Sequence, residues 1–205
     1  MSVAWAGVEM TGFRRPNLVR AERGQSDTVE PIEINAGGYY LRALRADDLL
    51  DDRPAIVEAF TDLETRRWVA DYQIEDLGDA LAYIQRRDSE WKRGVRCSWA
   101  VAEPTTGALL GEVDLRGLDE GPDGAQAACW THPSHRGRGV ASTALAAAVR
   151  FGFGFLGLTR IGYQHHADNV RSRRVAEKCG FRLTGESVEQ MGDRSVRLLH
   201  WVAVG

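Results

Sequence analysis

Trp130–Ala141 reads WTHPSHRGRGVA, a strand that runs into a basic loop with two glycines and then into a helix. That order suits an anion. The N-terminal amides of a helix have no intrahelical acceptor and carry the positive end of its dipole, so a phosphate there accepts several N–H bonds. Gly137 and Gly139 remove side chains that would hold a pyrophosphate off the backbone, and Arg136 and Arg138 add positive charge. A nucleotide diphosphate fits, although neither the Walker spacing nor the three-glycine dinucleotide fingerprint applies. Glu112 and Asp114 lie two apart on a strand and so share a face, where a carboxylate could accept a proton or simply form a polar, solvated surface. His165 and His166 are adjacent on a strand and point to opposite faces, which argues against a metal site. Cys97, Cys129 and Cys179 have no CxxC spacing and no basic partner, and they read as small core residues rather than nucleophiles or ligands.

The elements that must position these residues follow from periodicity. GYYLRALR predicts a strand at Tyr39–Leu44, and the acidic run from Asp47 predicts a helix that Pro54 breaks or restarts. Glu75–Lys92 has Leu77, Leu81, Ile84 and Trp91 near one face, with Gly94 as the stop. Cys97–Ala102 and Leu109–Leu115 form a hairpin around Pro104-Thr105-Thr106-Gly107. After a glycine-rich loop comes a strand at Ala125–Thr131. From Val140 to Leu156 the only charged residue is Arg150, which predicts a buried helix. A strand at Arg160–His165 and a short helix at Val170–Cys179 follow, the helix capped by Asn169 and ended by Gly180. Strands at Phe181–Val188 and Ser195–Ala203, turning at Gly192-Asp193, close the chain.

With 205 residues, 43% hydrophobic and 27% charged, the composition is that of one globular domain. Residues 1–36 lack a sustained period and read as an N-terminal extension ahead of a domain at 37–205. The 26 basic and 29 acidic residues leave no broad electrostatic footprint for nucleic acid or an anionic membrane. The first residues read poorly as a signal peptide, no segment approaches a membrane span, and three cysteines suit a reducing cytoplasm.

The loop carries a resemblance. Arg136, Gly139 and Ala141 occupy the specified positions of Q/R-x-x-G-x-G/A, the coenzyme A loop of the GNAT acetyltransferases. NVRSRRVAEKCGF, Asn169–Phe181, resembles the N-x-x-S-x-x-x-x-x-x-x-G-F segment of the RimJ/RimL-like branch of that superfamily. The resemblance spans roughly residues 39 to 204. It implies an α/β, GNAT-like mixed and mostly antiparallel sheet flanked by helices, with splayed central strands.

Carried over by position, the resemblance implies acetyl-CoA as cosubstrate; no metal is expected, since neither the histidines nor the cysteines form a ligand set. Amides of Gly137, Arg138, Gly139, Val140 and Ala141 would hold the pyrophosphate. Main-chain groups around Trp130, Thr131 and His132 would meet the pantetheine arm and thioester, with Asn169 reaching it from the other side. Arg171, Arg173 and Arg174 either serve the adenosine phosphates or form a solvated basic face. Many relatives place a tyrosine acid four residues before the glycine of the GF pair, where this chain has Ala176. Attention moves to Ser172, whose hydroxyl either supports the departing thiolate or is a second cap beside Asn169. Glu112 and Asp114 are the candidate bases, since Gln126 stands where relatives often have an acidic residue.

The expected reaction is direct attack of a primary amine on acetyl-CoA in a ternary complex. The branch implies a protein or peptide N-terminus as acceptor, and a homodimer is the default expectation for the assembly of a soluble chain. The alternatives are a small-molecule acceptor such as an antibiotic or amino acid, a longer acyl chain, or a non-catalytic coenzyme A-binding module, the last motivated by Ala176 and Gln126.

Overall fold

Residues 31–69, 72–191 and 194–205 are described by a computed structural model. In chain order their elements are β1 (Ile34–Asn35), β2 (Tyr40–Arg42), α1 (Arg53–Thr61), α2 (Leu63–Trp68), α3 (Leu77–Lys92), β3 (Arg96–Ala102) and β4 (Leu109–Arg116). There follow β5 (Gln126–Thr131), a 3-10 turn at Pro133–His135, α4 (Val140–Gly154), β6 (Arg160–His166), α5 (Val170–Lys178), β7 (Arg182–Met191) and β8 (Arg194–Val204). The strands form one sheet in the order β1-β2-β3-β4-β5-β6-β8-β7, antiparallel except for the β5–β6 pair. This is the expected mixed α/β architecture.

Alternation along β4 builds the two faces of the sheet. Val113 and Leu115 enter the core that holds Ala144, Leu145 and Ala148 of α4. Glu112 turns the opposite way and meets Tyr83 and Arg87 of α3. A second cluster packs Ile56 and Phe60 of α1 against Tyr83 and Ile84 of α3 and against Ala100 and Leu109 of the sheet. Each large apolar side chain so buried contributes about 1.5–3 kcal/mol.

The sequence differs from the fold at three places. The acidic run from Asp47 is a turn, because the Asp47 carboxylate accepts from the Leu49 and Leu50 amides and Asp52 is taken by Arg42. Pro54 instead sits in the first turn of α1, where a missing N–H does no harm. The short helix α2 was not expected, since LETRRW has no apolar stripe. It is held by its ends: Asp62 caps it through the Thr65 amide at 2.9 Å. Third, β1 pairs with β2 through Ile34 and Leu41, inside the span read as an extension. The rest of that extension, residues 1–30, and the Gly192-Asp193 turn lie outside the described residues.

Candidate active site

β5, the 3-10 turn and α4 build the anion loop. Gly137 and Gly139 have φ of 78° and 81°, the left-handed region that only glycine enters without strain. Gly139 is the N-cap of α4 and offers no side-chain acceptor, which leaves the first-turn amides aimed outward. The glycines are therefore required by backbone conformation. The space over a Cβ at Gly137 is open, so crowding is not the cause.

The two arginines of the loop point elsewhere than expected. The Arg136 guanidinium lies 2.5 Å from Asp62, 2.8 Å from Thr65 Oγ1 and 3.4 Å from Glu64, so it ties the loop to α2. Arg138 is exposed and is not among the residues lining the cleft described next, and its carbonyl accepts from the Tyr39 hydroxyl.

β5 and β6 pair only at Gln126–Gly162 and Ala127–Tyr163, although β5 continues to Thr131 and β6 to His166. Beyond those two pairs the strands part and leave a cleft of about 390 Å³. Gly137, Gly139, Val140 and Ala141 line it, as do Arg174 and Lys178. Trp130, Thr131, Asn169 and Ser172 line it too, together with Trp68 and Val69 from the α2 side. On the outer side of β5, a register shift at Val101–Ala102 leaves Leu110 as an extra residue in β4. Gly111 permits the close approach there, because a Cβ would sit 2.3 Å from the Trp130 carbonyl oxygen.

The bulge also corrects one expectation. The His132 amide donates to the Leu110 carbonyl at 2.9 Å, and the buried imidazole lies 3.6 Å from Glu58, outside the cleft lining. His132 is not available to a pantetheine arm.

At α5, the Asn169 carboxamide oxygen accepts from the Ser172 amide at 3.0 Å. Asn169 is the cap, and the Ser172 hydroxyl is not used for capping. It lies 2.6 Å from the hydroxyl of Tyr163, a residue that sequence reasoning missed. Burial pushes the Tyr163 phenol well above its ordinary value, so it stays protonated. A signal existed: a strand tyrosine facing the core needs a hydroxyl partner, and Ser172 is nine residues on. Arg171 is 2.5 Å from Glu64, and Arg173 pairs with Glu177 along the helix, while Arg174 has no ion-pair partner among the described residues.

Glu112 and Asp114 share a face as expected, but that face is buried under α3 and neither residue lines the cleft. Glu112 accepts from Tyr83 at 2.6 Å, Trp130 Nε1 at 3.1 Å and Arg87 at 3.2 Å. Asp114 lies 3.7 Å from Arg96, and burial, partly offset by that guanidinium, pushes its carboxyl up to about 6. The expected proton-accepting pair is thus sealed from the cleft, and its solvated reading fails as well. His165 stacks on Trp201 and His166 meets Trp68, on opposite faces of β6. Among the described residues no group of three or more His, Cys, Asp or Glu is placed to hold a metal. Burial raises the Cys129 thiol to about 12 and the Cys179 thiol to about 11, which leaves both protonated and poorly nucleophilic.

A loop of outward amides, splayed parallel strands and a cleft joining them define a coenzyme A-binding acyltransferase class. Residues 40–182 match the Acetyltransferase (GNAT) domain, and the chain belongs to that family. It is 31% identical over 136 residues to the uncharacterized N-acetyltransferase YoaA of Bacillus subtilis, covering 65% of this chain and 76% of that one. The fold is shared with RimJ of Mycobacterium smegmatis in complex with CoA-disulfide, at a TM-score of 0.73 and 19% identity, covering 85% of this chain and 88% of that one. It is also shared with spermidine N-acetyltransferase of Vibrio cholerae in complex with CoA and spermine, at a TM-score of 0.67 and 20% identity, covering 82% and 95%. The protein is accordingly an acetyl-CoA-dependent acetyltransferase. No helix among the described residues is long and apolar enough to cross a membrane.

Proposed function

We propose that this enzyme acetylates the amino terminus of a protein or peptide by direct attack in a ternary complex, with Ser172 supporting the departing thiolate. Acetyl-CoA, when bound, supplies a thioester carbonyl open to an amine. The amides from Gly137 to Ala141 bind its pyrophosphate, and Asn169 and the main chain at Trp130 and Thr131 orient its arm. The observation that carries the reading is Ser172: its hydroxyl is released from capping by Asn169 and lines the same cleft as the anion loop. The resemblance of Asn169–Phe181 to the RimJ/RimL-like segment supports the peptide acceptor. Glu112 and Asp114 lie outside the cleft lining and the cleft-lining Glu64 is held by Arg136 and Arg171, so none of these carboxylates is expected to take the amine's proton.

The test is thiol release from acetyl-CoA with free-amino-terminal peptides, polyamines and amino acids offered in parallel. Peptides should be turned over best. Turnover confined to polyamines or amino acids would replace the peptide reading, and none with any amine would favour a binding module. Acetyl-CoA at a hundredfold over its dissociation constant should stabilise the fold by about 2.7 kcal/mol. Gly139→Asp should abolish that shift, since it sets a carboxylate where the pyrophosphate binds and strains a left-handed position; an unchanged shift would remove the loop from the site.

A further inference from the structure

We propose that Tyr163 is a positioning residue that aims the Ser172 hydroxyl at the sulfur of coenzyme A, an inference that rests on the role given to Ser172 above. A serine hydroxyl carries one proton. If Ser172 donated it to Tyr163, nothing would remain for the sulfur. The 2.6 Å contact must therefore run the other way, with Tyr163 as donor, for Ser172 to donate into the cleft.

The surroundings of Tyr163 favour that direction. Its ring is buried against Phe181, and it lines the floor of the cleft where β5 and β6 part. Its other polar neighbour is Cys129 Sγ at 3.7 Å, a weak acceptor. The titratable groups facing it are Cys129 from β5, Cys179 from the end of α5 and, on its own strand, His165 at 6.1 Å between ring centroids; burial keeps both thiols protonated and lowers the pKa of the imidazole. Ser172 Oγ is thus the acceptor within ordinary distance. No proton leaves Tyr163 in the reaction. The carbon–sulfur bond breaks as the carbon–nitrogen bond forms, the sulfur keeps the electron pair, Ser172 donates a hydrogen bond to it, and the amine's proton passes to solvent.

A hydrogen bond that favours thiolate lowers the thiol pKa of bound coenzyme A, so affinity rises with pH above that of desulfo-coenzyme A, which lacks the sulfur. The experiment measures dissociation constants of both ligands from pH 7 to 10 for the wild type, Ser172→Ala, Tyr163→Phe and the double variant. In the wild type the bound thiol should fall about 1–2 pH units below its free value, a ten- to hundredfold gain. Ser172→Ala should remove that shift. Tyr163→Phe should remove about 0.5–1 unit, a three- to tenfold loss, and should add nothing when Ser172 is already alanine. Desulfo-coenzyme A should bind all four alike, a readout that a merely structural tyrosine would move. If the wild type shows no difference between the ligands, the role of Ser172 fails. If it does and Tyr163→Phe keeps the full shift, the role of Tyr163 alone fails. Should Tyr163→Phe fail to bind desulfo-coenzyme A, fluorotyrosine at 163 retains the hydroxyl as a stronger donor and should lower the bound thiol pKa further; no change would overturn the proposal.

Discussion

On the α3 face of the sheet Glu112 accepts from Tyr83, Arg87 and Trp130, while on the α5 face Tyr163 and Ser172 share one hydrogen bond. Each set has one member on a strand that bounds the splay, Trp130 on β5 and Tyr163 on β6, and each holds a buried ionisable group. Three donors occupy most of the roughly four acceptor positions of the Glu112 carboxylate, and it does not line the cleft. Ser172 faces the cleft with a hydroxyl whose capping role has passed to Asn169. Residue type and burial alone do not sort these candidates; what separates them is whether a hydrogen-bonding valence remains and where it points.

The comparison breaks first at Ser172. Ser172→Ala should lower turnover by about 10² to 10³ at nearly unchanged acetyl-CoA affinity and melting temperature, the range for removal of one positioned hydrogen-bond donor. Steady-state kinetics beside a thermal melt decides it. Full turnover would place Ser172 with Glu112 as a structural group.

Glu112→Ala tests the other side. It leaves Arg87 with Glu90 but strips the buried guanidinium of one carboxylate and the Trp130 indole of its acceptor. Urea unfolding should show a loss of about 3–5 kcal/mol. Glu112→Gln keeps the shape and should hold turnover within a few fold at lowered stability. A hundredfold fall in turnover with intact stability would instead put Glu112 in the reaction.

Asp114 sharpens the contrast through pH. Its folded-state pKa, about 6, lies above the ordinary 3.8, so between those values the unfolded chain releases its proton first. The carboxyl therefore costs nothing below about pH 4, and its contribution to stability falls as pH rises towards 6, by about 2–3 kcal/mol in all. Asp114→Asn should flatten that slope in unfolding curves taken from pH 4 to 7. An identical slope would mean that the carboxyl is ionised and adequately paired with Arg96 throughout.

Why the sequence discloses one part of this site and conceals another follows from range. The loop at Arg136–Ala141 is local: a strand end, left-handed glycines and a helix start are consecutive, and each has its own residue signature. The buried helix α4 and the β3–β4 hairpin are local in the same sense. The α2 helix is stabilised by Arg136, more than seventy residues away, and by Arg171, more than a hundred away. Nothing inside LETRRW reports that. The fate of Glu112 likewise depends on Tyr83 and Arg87, which the polar stripe of α3 presents as ordinary surface residues. Alternation placed Glu112 and Asp114 on one face correctly, yet it has no means of saying which face looks into the cleft.

Asn169 carries the smallest expected effect, because it serves both sides of the comparison with different atoms of one side chain. Its carboxamide oxygen is fixed by the Ser172 amide, which is a structural bond. Asn169 also lines the cleft, and its carboxamide nitrogen is the donor proposed for the acyl-CoA arm. Asn169→Ala removes both and should cost about 0.5–2 kcal/mol of stability, together with a severalfold rise in the acetyl-CoA Michaelis constant. Asn169→Asp separates them. An aspartate keeps the cap oxygen and adds negative charge at the positive end of α5, so stability should hold or rise slightly. The donor into the cleft is then replaced by an acceptor, and the Michaelis constant should rise at least as far as in the alanine variant. A melt and a Michaelis curve on each variant suffice. If the aspartate restores the Michaelis constant along with stability, Asn169 acts only by holding Ser172 in place, and the cleft-facing role passes to the main chain at Trp130 and Thr131.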